Sequence, residues 1–393
     1  MYERALVDTI KSRMEEPRSL MQVVVGPRQT GKSTALTQAC SSIAIPVHSV
    51  SADLGDAEWL RVEWQQARNL ARSTGEAVLI VDEIQKIAAW PNIVKSLWDE
   101  DSRASSTLKV FLSGSSSLLI GDGLSDSLMG RFELIRFAQW DYAECREAFG
   151  CTLDEFVFFG GYPRAVQMRI DEGRWRRYML DSIVEPTIAQ DVLQMAPIRK
   201  PALMRSLFAL GARYSAQKLS YTKMLGQLQN AGNTTTLAEY LELLSAAGIL
   251  TGLSKYDAKE LRSRRSSPRL MVHDASLSSS ALGIPFQAIR RDSSRWGHLV
   301  ESTVGAYLLH RGQREGFSVH WWRDGSDEVD FVLRRGEELV AIEVKSGRVK
   351  NQRGMKKFLL SHPNARRIVV GSSEIPLESF LLGDAKLFSI DGR

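Results

Sequence analysis

Cysteine is scarce in this chain. Cys40, Cys145 and Cys151 are scattered and odd in number, so they outline neither a disulfide framework nor a zinc site. No apolar run approaches the roughly 18–20 residues that cross a bilayer, and no membrane partner is expected. Residues 1–16 are charged and amphipathic and hold no apolar secretory core; the expected compartment is the cytoplasm. Internal repeats and low-complexity tracts are also lacking. What remains is 393 residues at 44% hydrophobic content, which allows about two to four domains, each with its own core.

The net charge of +5 hides an asymmetry. Residues 1–150 hold 16 Lys/Arg against 20 Asp/Glu, a balance of −4; residues 151–393 hold 35 against 26, a balance of +9. A basic region joined to an acidic one suggests a polyanionic partner, most often nucleic acid. Solvated basic faces are the plain alternative.

An apolar strand, residues 22–25, runs into Gly26, Pro27, Arg28, Gln29, Thr30, Gly31, Lys32 and Ser33, with a helical pattern from Thr34. This is a complete GxxxxGKS loop in its strand–loop–helix setting. Glycines let backbone N–H groups curl around phosphate oxygens, and the helix start favours the anion. Lys32 is expected to reach the β and γ phosphates, and the Ser33 hydroxyl to hold Mg²⁺. A second apolar strand, residues 77–81, ends in Asp82 and Glu83. Asp82 is expected to hold Mg²⁺ through water, and Glu83 to polarise the attacking water. A third strand, residues 108–112, leads to Ser113 and Ser115, either of which could sense the γ-phosphate if this strand lies between the other two. A serine-rich loop capping the next helix explains the same residues.

The segments GPRQTGKST, VLIVDEIQ, LSGSSSLL, LMGRF and GGYPR occur in that order. Together they resemble the prokaryotic AAA+-like ATPases that join a P-loop domain to a C-terminal region of unassigned function. The likeness covers nearly the whole chain. It implies an arginine finger at Arg131, acting often on a neighbouring subunit's nucleotide, which would need assembly with copies of itself; a surface arginine is the plain alternative. It also implies that Gly161 and Pro163 pack near the nucleotide base, with Arg164 as a second sensor.

In the middle region, helices are expected over residues 219–228 and 237–247, the second with apolar residues at 237, 240, 241, 244 and 247 and a capping box from Thr236 and Glu239. Gly248 stops it and a strand begins at Ile249. Two short helices, a turn and a strand suggest a winged helix. Its wing would carry Lys255, Lys259, Arg262, Arg264, Arg265 and Arg269, six cations within fifteen residues. Phosphate contacts from this wing, with the second helix in a groove, would bind duplex; a protein-docking module with a solvated basic loop is the alternative.

Residues 321–347 place Asp330, Glu343 and Lys345 inside two apolar strands. Side chains alternate along a strand, so Glu343 and Lys345 share a face. A two-residue turn with Gly336 at positive φ sets Asp330 opposite Glu343. Two carboxylates and an amine can then hold a divalent cation and orient a water. The pattern resembles the restriction-endonuclease-like core, the PD-(D/E)xK superfamily, with Val329 where its proline stands. The resemblance implies Glu301, on the preceding helix, as the helical acid. A surface hairpin with cross-strand ion pairs is the plain reading.

The expected fold class is α/β multidomain: a P-loop NTPase parallel sheet over 1–148, a helical lid or connector over 149–212, a winged helix with a basic wing over 213–285, and a restriction-endonuclease-like α/β domain over 286–393. The expected function is ATP binding and hydrolysis acting on nucleic acid, DNA rather than RNA, with ATP and Mg²⁺ as cofactors. A metal-dependent nuclease site of Asp330, Glu343, Lys345 and Glu301 is a further expectation. The alternative is an ATP-driven switch for a protein partner, the nuclease-like domain serving as a binding platform.

Overall fold

The computed structural model describes residues 2–115, 128–193, 198, 200–229, 232–257, 267–345, 353–371 and 374–388. The chain divides into two compact units. The first comprises Met1–Ala138 with Gln190–Pro197, the second Gln139–Ala189 with Ile198–Arg393.

The first unit is built on β1 (Met21–Gly26), β2 (Val47–Ser51), β3 (Ala77–Asp82), β4 (Leu108–Ser115) and β5 (Phe132–Arg136). All pair in parallel, in the order β2-β3-β4-β1-β5. The serine-bearing strand β4 therefore lies between β1 and β3, as the motif order requires. A parallel sheet is covered on both faces; the inner strands β1, β3 and β4 are buried almost throughout, and β2 and β5 at the edges only in part. Alternate residues enter opposite cores. Val23, Val25, Leu79, Val81, Val110 and Leu112 join one cluster; Val24, Val78, Ile80 and Phe111 join the other.

The first cluster is closed by the helices Ala57–Thr74 and Trp90–Arg103. These bury Leu60, Trp64, Ala67 and Ala71 from one, and Trp90, Ile93, Val94, Leu97 and Trp98 from the other. That spacing is the 3.6-residue stripe of a core-facing helix. A polar network ties the two together. Asp101 accepts from Trp64 Nε1 and from Arg68 Nε, each at 2.7 Å, and both Asp101 and Arg68 are buried. The second cluster is closed by the helices Ala5–Glu15 and Lys32–Ser41, through Val7, Ile10, Met14, Ala35, Leu36 and Ala39.

In the second unit, β6 (Gln217–Lys218), β7 (Leu250–Leu253) and β8 (Arg269–Val272) form an antiparallel sheet of order β6-β8-β7. The helices Pro201–Arg213, Tyr221–Gln227 and Thr234–Ala246 accompany it. Leu237, Tyr240, Leu241, Leu244 and Ala247 are all buried, as their spacing anticipates. The cap is corrected. The helix starts at Thr234, and Asn233 caps it by accepting from the Thr236 N–H at 2.8 Å. Asparagine and threonine both satisfy orphan N–H groups, and here the earlier residue takes the role. Of the expected wing, Lys259, Arg262, Arg264 and Arg265 lie outside the described residues.

A four-stranded sheet follows, built from β9 (Ser318–Asp324), β10 (Asp327–Arg335), β11 (Glu338–Val344) and β12 (Arg366–Val370) in the order β12-β11-β10-β9. The β9–β10 and β10–β11 pairs are antiparallel, β11–β12 parallel. The 23-residue helix Ser293–Glu315 precedes it, capped by Asp292. The helix Arg353–Ser361 makes the β11–β12 crossover. In the β10–β11 hairpin, Arg335 pairs with Glu338 across the turn, and Gly336 adopts φ 57°. This two-residue turn is the one its sequence specifies.

Removing the Asp101 carboxylate leaves Trp64 Nε1 and Arg68 Nε without this partner, while Arg68 Nη2 keeps Glu100 and the Leu97 carbonyl. Asp101→Ala is expected to cost about 2–4 kcal/mol, read by urea unfolding followed by tryptophan fluorescence; a loss below about 1 kcal/mol would match an ordinary surface change and contradict this packing.

Candidate functional site

The loop after β1 is shaped by three positions. A Cβ on Gly26 would lie 2.4 Å from the Phe137 carbonyl oxygen, so no side chain fits there. Gln29 (φ 60°) and Gly31 (φ 93°) adopt left-handed conformations, which coil the backbone into a cradle. Thr30 Oγ1 donates to the Pro27 carbonyl at 2.9 Å, and Arg4 Nη1 donates to the Thr30 carbonyl at 3.1 Å. Lys32 opens the helix beneath the loop, with Ser33 and Thr34 exposed beside it.

The Lys32 ammonium donates to the carbonyls of Gly26 (2.9 Å) and Pro27 (2.8 Å). Burial lowers its pKa from 10.5 to about 8, a shift opposed in part by the charges of Glu83, Asp82 and Asp191. The amine is thus poised under the cradle, bonded to groups that phosphate oxygens can replace. Ser33 Oγ donates to Asp82 Oδ2 at 2.7 Å, which brings the ends of two separate motifs together. A hydroxyl and a carboxylate side by side are the donor set a hard cation such as Mg²⁺ takes. Glu83 follows with φ 55°, and Gln85 Nε2 donates to its carboxylate at 2.6 Å.

Of the two serines at the end of β4, Ser113 donates to Asp82 Oδ1, whereas Ser115 is buried beside Gly26 in the sheet register. The serine in contact with the acid at the end of β3 is therefore Ser113. Arg131 lies elsewhere. Its carbonyl accepts from the Met21 N–H at 2.9 Å, at the start of β1, while the phosphate loop lies at the end of that strand. Its guanidinium pairs with both Asp99 oxygens, at 2.7 and 3.1 Å. It faces away from this chain's own loop.

One participant carries no motif. Asp191 accepts from Arg28 Nε and Nη2, each at 2.8 Å, and is buried. This bidentate pair fixes the third residue of the loop. It joins residues 163 positions apart, and Asp191 sits in a helical stretch without any nucleotide pattern. Only an alignment of covarying residues could have signalled it.

Gly161 and Pro163 belong to the second unit. The Gly161 N–H donates to Asp274 Oδ2 at 2.7 Å, and a Cβ on Gly161 would meet the Trp140 carbonyl at 1.9 Å. Close backbone approach within that unit accounts for this glycine. Pro163 starts the short helix Pro163–Val166.

The charged hairpin forms a second cluster. Asp330 Oδ2 accepts from the Val344 N–H at 2.8 Å, which sets it against Glu343. Lys345 Nζ donates to Glu343 Oε1, while Glu343 Oε2 is buried without a hydrogen-bond partner. Burial, then the neighbouring Asp330 charge, pushes the Glu343 pKa from 4.5 to about 7, against Lys345 and Arg269. Glu301 from the helix Ser293–Glu315 reaches the same place.

A fifth residue corrects two expectations. Arg269, expected in an exposed basic wing, is the first residue of β8 and is buried. Its Nη2 donates to Glu301, its Nη1 to the Asp330 carbonyl at 3.1 Å, and its Nε to the Ala216 carbonyl at 3.1 Å. The Asp330 carboxylate lies 3.6 Å from Nη2. Among the described residues, no group of three or more carboxylate, imidazole or thiol side chains is arranged to hold a metal ion. Glu301, Asp330 and Glu343 therefore do not fit as a metal-ligand set, because a guanidinium stands among them.

The Lys32 pKa sets a pH dependence. Above about 8 the folded amine loses its charge, while the unfolded one keeps it to 10.5. Stability from this group is therefore gained as pH rises through that window, whereas any attraction it exerts on a phosphate would be lost over the same window. Calorimetric ATP titrations should show affinity falling above about pH 8, with proton uptake on binding; a flat profile to about pH 10 would contradict the placement of this amine.

Family models match three segments. An AAA domain matches residues 18–146, a domain of unknown function (DUF8612) residues 151–288, and a second domain of unknown function (DUF4143) residues 296–380. An uncharacterized protein of Haemophilus influenzae is 22% identical over 372 residues, spanning 89% of this chain and 88% of its own. An uncharacterized protein of Mycobacterium tuberculosis is 25% identical over 370 residues, spanning 92% of this chain and 78% of its own. Two solved structures superpose loosely. One is the Aeropyrum pernix Orc1 protein in complex with DNA, with 11% identity, 72% of this chain and 91% of that one, and a TM-score of 0.31. The other is the Thermotoga maritima RuvB Holliday junction branch migration motor, with 18% identity, 63% and 89% coverage, and a TM-score of 0.33. At such scores the superpositions carry no functional argument. The motifs, the strand order and the matched model agree on the N-terminal part: residues 18–146 form an AAA domain of the P-loop ATPase kind.

Proposed function

We propose that this protein binds and hydrolyses ATP with Mg²⁺ and couples the cycle to nucleic acid, DNA before RNA. The observation that carries the catalytic part is the 2.7 Å contact between Ser33 and Asp82 above a buried Lys32. Backbone N–H groups from Arg28 to Lys32 cradle the phosphates, with Arg28 held in place by Asp191. Lys32 exchanges the Gly26 and Pro27 carbonyls for phosphate oxygens. Ser33 and Asp82 would hold the Mg²⁺, which offsets charge building on the phosphates. Ser113 orients Asp82. Glu83, steadied by Gln85, takes the proton from the attacking water. Arg131 would serve a neighbouring copy's nucleotide, so the working form is a homo-oligomer.

The nucleic-acid part rests on charge. Residues 151–393 carry a balance of +9, and Lys356 is exposed on the helix Arg353–Ser361. The helices Tyr221–Gln227 and Thr234–Ala246 with the β6-β8-β7 sheet fit a winged helix, whose β7–β8 connection holds the remaining wing cations. The second helix is a poor groove reader: its charged residues are Glu239 and Glu242, both exposed, and carboxylates repel phosphates. Contacts would come from the basic connection. Phosphodiester cleavage is no part of this reading, because Arg269 occupies the acid cluster of the nuclease-like region. The exposed acids of that helix favour the second reading, an ATP-driven switch docking a protein partner.

The two readings separate by binding to labelled duplex DNA, single-stranded DNA and RNA at increasing salt. Nucleic-acid coupling predicts affinity that falls tenfold or more between about 50 and 200 mM salt, with ATP turnover stimulated by the preferred form. Intact ATP turnover with no binding at about 50 mM salt would leave the protein-partner switch.

A further inference from the structure

The PD-(D/E)xK-like region carries its three acids on three elements: Glu301 on the helix Ser293–Glu315, Asp330 on β10 and Glu343 on β11. Two cations are placed among them. Lys345 is bonded to Glu343, and Arg269 spans the other two. Arg269 comes from β8, in the other sheet of the same unit. Its Nε faces the Ala216 carbonyl and its two terminal nitrogens face Asp330 and Glu301, so the fork is held from both sides and its side chain is 5% exposed.

Charge decides what else can enter. Glu301, Asp330 and Glu343 bring at most three negative charges, and Arg269 with Lys345 bring two positive ones. The two cations leave at most one negative charge uncompensated, so a divalent ion would leave a net positive charge in a mostly buried site, a penalty of several kcal/mol. It would also have to strip Glu301 of its guanidinium partner.

We infer that Arg269 is the resident cation of this cluster, standing between Glu301 and Asp330 in place of a divalent metal, so that the C-terminal region works as a metal-free ionic site. Arg269 then has a second consequence. It fastens β8 to the helix Ser293–Glu315 and to β10, so the region has the charge pattern of a nuclease core but uses it as a bolt.

The test uses the full chain with Asp82→Asn, which removes the phosphate-loop cation site, and Mn²⁺ as the probe without nucleotide. Mn²⁺ binding is read by electron paramagnetic resonance. With Arg269 present, no ion is expected to bind below about 1 mM, the range of weak carboxylate sites. Adding Arg269→Met is expected to create one Mn²⁺ site per chain, lost again on Asp330→Asn, with a Tm that rises on adding Mn²⁺. Mn²⁺ bound while Arg269 is present, and lost on Asp330→Asn, overturns the inference. So does a folded Arg269→Met chain that gains no ion, since the acids would then not form a cation cage. If Arg269→Met does not fold, Arg269→Lys carries the test: it keeps the charge and is expected to exclude Mn²⁺, and an Asp330-dependent ion there overturns the inference equally.

Discussion

The Ser33–Asp82 contact depends on strand order. Serine and aspartate come from motifs about fifty positions apart, and they meet only because β4 separates β1 from β3 with all three parallel. Parallel strands deliver their C-terminal ends to one edge, and that edge holds Gly26, Asp82 and Ser113 together. The two cores on either face keep the strands in register. Lys32 is buried by this arrangement, which lowers its pKa by penalising the charged form, and a bound phosphate would favour that charge again.

The legible part of this site was contiguous. Gly26–Ser33 and Asp82–Glu83 are short local patterns whose geometry follows from one strand and one turn. The β10–β11 hairpin was legible for the same reason: a two-residue turn with a glycine at Gly336 fixes the register of every residue above it. Asp191 was not legible, because its partner Arg28 is remote in sequence and an aspartate in a helix carries no signal of its own. Arg269 was misread for a related reason. It ends a run of six cations, and composition alone assigns such a run to solvent. One residue at the strand entry instead points into the protein, where three carboxylates need a counter-charge. The Asn233 cap was missed by a smaller margin, since both cap residues obey the same rule.

Arg269 changes the meaning of the C-terminal region. The acids match a metal-binding pattern residue by residue, yet a pattern names ligands and not the cation between them. A guanidinium from another sheet supplies that cation and ties two sheets into one unit. The AAA domain and the ionic cluster thus illustrate opposite outcomes. In the first, the lysine is held by replaceable backbone carbonyls; in the second, the arginine is held by the very acids that a metal would need.

The central claim is that Glu83 is the base of an ATPase whose cradle is formed by Gly26–Ser33. Phosphate release from ATP by the full chain, compared with its Glu83→Gln variant, tests it most directly. The account predicts ATP affinity within about twofold of the parent and turnover reduced by about a hundredfold or more, the usual weight of a general base. A Glu83→Gln chain that turns over ATP at the parent rate would contradict it.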